Sequence, residues 1–183
     1  MPGQAVTAPL AFAFGKLPSH GDFVARGLAP GEQAAWDAFC SAGLEEARAA
    51  LGSEFETRHD AAPPLRFLFG PGPFGDGWRA GVLAASIDAA GRRFVIVLGG
   101  RTVQAPAPET GDRIATAAEK EIHRTFLAAD DVDAMVASAQ VLFQTMESET
   151  GPEAEGRFWV PDSPFDMIAS QPPADLITRI LTI

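Results

Sequence analysis

The chain has 183 residues, of which 46% are hydrophobic and 21% charged, a balance that suits one globular domain and argues against disorder. Its 24 acidic against 14 basic residues give a formal net charge of −10, so bulk charge speaks against nucleic acid or an anionic membrane as partner. The single cysteine, Cys40, excludes an intrachain disulfide and any zinc site with two or more Cys ligands.

Leu10, Phe12 and Phe14 alternate with small residues and predict a strand. The segment 15–23 (GKLPSHGDF) follows. Gly15, Pro18 and Gly21 shape it as a loop, and Phe23-Val24 begins a second short strand. Pro30 and Gly31 open a helix whose apolar stripe is Trp36, Phe39, Cys40, Gly43, Leu44, Ala47 and Leu51, with Gly52 as its stop. Cys40 lies on that stripe and reads as a core residue, not a reactive thiol.

Three strands are expected next, at Leu65–Phe69, Trp78–Ile87 and Phe94–Leu98. The few residues between the last two predict an antiparallel hairpin. Residues 101–111 are Pro-rich and read as a loop. Two helices follow: Ile114 to Phe126, and Val132 to Met146 at i, i+3, i+4, i+7 spacing, the latter capped by Asp130 or Asp131. An acidic turn at 147–156, a short strand at Arg157–Val160 and a last helix with Leu176, Ile177, Ile180 and Leu181 complete the chain. The expectation is one domain over residues 1–183, of α+β class, with a central antiparallel sheet flanked by helices. No apolar run approaches the ~20 residues that span a bilayer. The apolar start lacks a preceding Lys or Arg and is broken by Pro9, so a cytoplasmic protein is expected.

Ser19, His20 and Asp22 suggest catalysis, but triads assemble from distant positions and the GxSxG turn is absent. Gly15-Lys16 lacks the earlier glycine of a phosphate loop, and Leu17 stands where such a loop needs Ser or Thr. His20, His59 and His123 show no metal-ligand spacing. Asp130, Asp131 and Asp133 suit a helix N-terminus better than a calcium loop. No catalytic, metal or cofactor residue is assigned.

Three pieces remain: the GKLPSHGDF loop with Arg26, the segment Ser86–Arg92, and Phe158-Trp159. With these the chain resembles the TagF (ImpM) family associated with bacterial type VI secretion. The matching residues are Gly15-Lys16-Leu17-Pro18, Gly21-Asp22-Phe23, Arg26, Trp36-Asp37, Pro64 to Phe69, Gly81-Val82-Leu83, then Ser86, Asp88, Gly91, Arg92 and Phe94. The departures are Phe14 in place of Trp or Tyr, Phe94-Val95-Ile96 without the family's proline, and Phe158-Trp159 for a Trp pair. The resemblance implies a longin- or profilin-like fold and no enzyme activity. It also implies a cytoplasmic post-translational regulator, mainly a repressor, acting beside a kinase–phosphatase pathway and a forkhead-associated-domain protein. Some relatives carry a fused phosphatase domain, which is not expected here.

Lys16, His20, Asp22, Arg26, Asp88 and Arg92 form the candidate partner-binding surface. Asp22 or Asp88 is expected to pair with Arg92 or Lys16 and fix the loop to the sheet; bracing of the turns alone is the competing account. The alternative function is a small hydrolase or phosphatase-like enzyme using His20 and Asp22. A structural subunit of the apparatus is a third.

Overall fold

The computed structural model describes residues 7–146, 151 and 154–183. Seven strands form one sheet with every neighbouring pair antiparallel: β1 (Leu10–Gly15), β2 (Val24–Arg26), β3 (Leu65–Phe69), β4 (Trp78–Ile87), β5 (Arg93–Thr102), β6 (Arg157–Trp159) and β7 (Asp166–Ile168). Their order is β2-β1-β5-β4-β3-β6-β7. The helices are α1 (Pro30–Leu51), α2 (Phe55–Ala61), α3 (Pro108–Ala128), α4 (Val132–Gln144) and α5 (Leu176–Leu181). This is the α+β class expected from the sequence.

Strand alternation sorts two cores onto the two faces. From β1, Ala11 and Ala13 join Ile114, Ala118, Ile122, Met135, Ala139 and Phe143 of α3 and α4. Phe12 and Phe14 join Trp36, Cys40 and Leu44 of α1 and Leu176, Ile177 and Ile180 of α5. The second core is aromatic: the Trp36 ring lies 4.5 Å from that of Phe74 and 5.8 Å from that of Phe67. Room for it comes from Gly81 and Gly99, which pair across β4 and β5. A Cβ on Gly81 would run into the Leu98 carbonyl and one on Gly99 into the Ala80 carbonyl, and each would stand 3.0 Å from the Phe67 or the Phe12 ring, so glycine is needed at both.

The helix stripes read from the sequence face these cores, and Asp131 settles the α4 cap: its carboxylate accepts from the Ala134 N–H at 2.8 Å. Cys40 is fully buried, and that burial pushes its thiol pKa up. Three expectations need correction. β5 does not stop at Leu98; Gly99, Gly100, Arg101 and Thr102 continue it because β1 bonds one side and β4 the other. The loop is therefore shorter than 101–111, and α3 starts at Pro108. The short α2 and β7 were not foreseen. The acidic turn at 147–156 falls largely outside the described residues. No helix among them is long and apolar enough to cross a membrane.

Candidate functional site: the braced motif loop

β1 ends at Gly15, whose φ of +134° and contact with the Val95 carbonyl leave no space for a side chain. The chain then turns under the end of the β4–β5 hairpin. The Lys16 N–H donates to the Val95 carbonyl at 3.0 Å, and Ser86 Oγ donates to the Lys16 carbonyl at 2.6 Å. The Lys16 ammonium lies 3.0 Å from Asp88 Oδ2, and Arg92 Nε lies 2.6 Å from that same oxygen. The other Asp88 oxygen accepts the Ala90 and Arg92 backbone N–H groups at 3.0 and 2.9 Å. One carboxylate therefore closes the hairpin turn and clamps a segment 72 residues away.

Burial raises the Asp88 pKa. The Arg92 backbone N–H and the Lys16 and Arg92 side chains outweigh it and hold the carboxyl well below the usual carboxylate range. The Lys16 ammonium also sits 4.8 Å from the Phe23 ring centroid and 5.6 Å from that of Phe94. The Phe23 ring meets Phe94 edge-on at 4.9 Å and remains half exposed.

His20 is a spacer between two elements. Its carbonyl accepts the Ala89 N–H at 2.8 Å, and its Nε2 accepts the Val132 N–H at 3.1 Å, at the first residue of α4. Ser19 Oγ donates to the Asp130 carbonyl at 2.8 Å. Arg26 departs from the clamp and forks onto Asp133 of α4 at 2.6 and 3.3 Å. Asp22 is exposed and has no side-chain partner among the described residues.

The expected pairing thus forms through Asp88, which takes both Lys16 and Arg92, while Asp22 takes neither. Ser19, His20 and Asp22 share no side-chain hydrogen bond; the first two are engaged with the α3–α4 corner. Among the described residues no three of His, Cys, Asp and Glu converge as metal ligands. Sequence reasoning missed the second function of the loop, the bracing of α4. The signal was present in a helix starting at Val132 that offers orphan N–H groups with no Ser or Thr beside them.

A helix–sheet–helix α+β domain whose first loop is clamped by its central hairpin is the class these observations define. The crystal structure of PA0076 from Pseudomonas aeruginosa PAO1 shares that fold: TM-score 0.71, covering 93% of this chain and 93% of that one, at 21% sequence identity. No curated protein matches the sequence. The model of the TagF N-terminal domain, type VI secretion system-associated, matches residues 13–143, and the chain belongs to that family.

Proposed function

We propose that this protein is a cytoplasmic regulatory accessory of type VI secretion, a repressor, that acts by binding another protein of the system and not by catalysis. Its association with type VI secretion rests on the family. The binding role is supported by one observation above others: the two motif segments meet, held by Lys16, Asp88, His20 and by Arg92, which reaches Asp88 and the Gly21 carbonyl at 3.1 Å, while Phe23, Asp22 and the outer side of Arg92 stay exposed at the same corner. A catalytic reading would need Ser19 or His20 free to act, and both are tied to main chain. The resemblance makes a forkhead-associated-domain protein the candidate partner.

The test pairs secretion with capture. Raised levels of the protein should lower export by the apparatus, and the immobilised chain should retain a regulatory protein of the system from cell extract. Unchanged export and no such protein retained would overturn the role. Phosphoester or ester turnover lost in His20→Ala would restore the enzyme reading.

A further inference from the structure

β4 is longer than its neighbour on one side. β3 pairs with it only from Phe69↔Arg79 to Leu65↔Leu83, whereas β5 follows it to Ile87↔Arg93. Among the described residues, 84–87 therefore have a strand on one side alone; Ala62, Pro63 and Pro64, leading into β3, line the space on the other. Main-chain bonding in an antiparallel ladder alternates sides residue by residue. The Asp88 N–H donates to the Arg92 carbonyl across the hairpin at 3.1 Å, so Ser86 and Ala84 also face β5. Ala85 and Ile87 point their N–H and C=O groups outward. The Ile87 carbonyl takes only a 3.4 Å bond from Ser86 Oγ.

That open side is a groove. A cavity of about 550 Å³ between β4 and α3 is lined by Val82, Ala84, Ile122, Phe126 and Leu127. A second, of about 310 Å³, is walled by Pro18 of the motif loop, His59 and Ile87. The two share Asp60, Ala85 and Phe126, so they form one trough along the strand edge. Most charges on its walls are already matched. Asp60 holds Arg93 at 2.7 Å, Glu119 holds Arg66 at 2.8 Å, and Arg124 holds Glu121 and Asp130 at 2.9 and 2.6 Å. Lys120 and His123 are exposed and unpaired among the described residues. In a chain of net charge −10, the unmatched charge at this trough is a cation.

We infer that the open edge of β4 at residues 84–87 docks an extended segment of a partner protein, with alternating apolar side chains and an acidic residue that meets Lys120. Main-chain bonds to Ala85 and Ile87 supply the pairing, the apolar trough takes alternate side chains, and Lys120 sets the charge preference. The Lys16–Asp88–Arg92 clamp gives this edge its shape, because it fixes both Pro18 and the end of β4. A second copy of this chain suits the edge poorly, since it would bring a second unmatched Lys120 and, at the trough, only the carboxylates of Asp60 and Glu119, which Arg93 and Arg66 already hold. The inference rests on the protein-binding role proposed above.

The experiment titrates the isotope-labelled full chain with the capped hexapeptide Val-Thr-Glu-Thr-Val-Thr, whose Val and Glu side chains share the face that enters the trough beside Lys120, and with its counterpart carrying Lys for Glu. Expected are shifts and slowed hydrogen exchange at the Ala85 and Ile87 amides, and tighter binding of the Glu peptide by roughly fivefold. Lys120→Glu, on an exposed helix face, should reverse that order. Ala85→Pro removes an outward N–H that no strand uses and should weaken binding roughly five- to tenfold with the melting temperature nearly unchanged. Absent or scattered amide shifts, or a charge order indifferent to Lys120→Glu, would overturn the groove. So would self-association through this edge. If type VI proteins are still captured equally by the wild type and by Lys120→Glu, the groove fails while the binding role stands; if none is captured, the role itself fails.

Discussion

β4 is fastened by buried charge at both ends, and the two ends are built differently. At its start Arg79 is buried and donates to Glu32 Oε1 at 2.8 Å and to the Gly75 and Gly77 carbonyls, each at 3.2 Å. The second Glu32 oxygen caps α1 through the Ala29 N–H at 2.9 Å. Gly75 lies so close to Glu32 Oε1 that no side chain fits there. At the far end Asp88 is as deeply buried, but its partner Arg92 is 64% exposed and the strand beside it has an open edge. The first end closes around a buried pair, with only Arg101, 3.7 Å from Glu32 Oε1, reaching solvent at its rim. The second uses the same chemistry to hold a loop, through Asp88 and the Gly21 carbonyl, while leaving the outer side of the Arg92 guanidinium and a strand edge in solvent.

The largest effect is expected at the Arg79 end. Glu32→Ala leaves the Arg79 guanidinium without its counter-ion in a site where burial already lowers its pKa, and should cost about 3–5 kcal/mol by urea unfolding. The double variant Glu32→Leu, Arg79→Met should recover much of that, because two apolar side chains need no partner. A loss below about 1 kcal/mol for the single variant would mean that water reaches the pair.

At the open end Asp88→Asn keeps the shape and removes the charge that Lys16 and Arg92 share. The melting temperature should fall by roughly 5–10 °C, with faster amide exchange confined to residues 16–22 and 86–92. An unchanged melting temperature would show that the clamp is not structural.

Acid sharpens the contrast further. The Asp88 carboxyl is held below its ordinary 3.8, and the Arg93 side chain brings Asp60 down to about 2. Each is depressed in the folded state, so each contribution is complete above about pH 5 and is lost as pH falls from about 4 towards 2. Acid unfolding should therefore be shallower in Asp88→Asn than in wild type, and an identical acid limb would refute the assignment.

Arg92→Ala should have the smallest effect on stability, under about 1 kcal/mol by thermal unfolding, since its side chain is largely solvated. It should nevertheless reduce capture of the partner. A variant that unfolds would instead make Arg92 a brace like Arg79.

Much of the fold was legible because strand and helix periods survive in the sequence. Phe12 and Phe14 against Ala11 and Ala13 announce a strand with two unlike faces, and the α1 and α4 stripes name their buried sides. The end of β5 was hidden because Gly99 and Gly100 read as breakers, while their lack of side chains is what lets Phe12 and Ile114 pack on them. α2 buries only Phe55 and His59, too few for a stripe, and β7 has three residues in a Pro-rich stretch. Of the site, the Asp88 clamp was foreseen from charge in glycine turns. The Glu32–Arg79 pair was not, since nothing in local spacing brings residues 47 apart together. Nor was the α4 contact of His20, which depends on where a helix start lands in space.

The strand order also sets a timetable. β1 emerges with only the three-residue β2 close behind it as a partner; its long neighbour is β5, where Gly15 meets Ile96. At a synthesis rate of about 5–20 residues per second, β1 waits ~4–16 s for the roughly 80 residues that separate them. The β4–β5 hairpin, local and ten residue pairs long, can close as soon as it emerges. β1 then docks onto a preformed edge, and the Lys16–Asp88 contact is made only after that docking. The nascent chain thus carries an apolar strand with its longer edge open until β5 is made, which is a window for chaperone capture and for misassociation between neighbouring chains on one messenger.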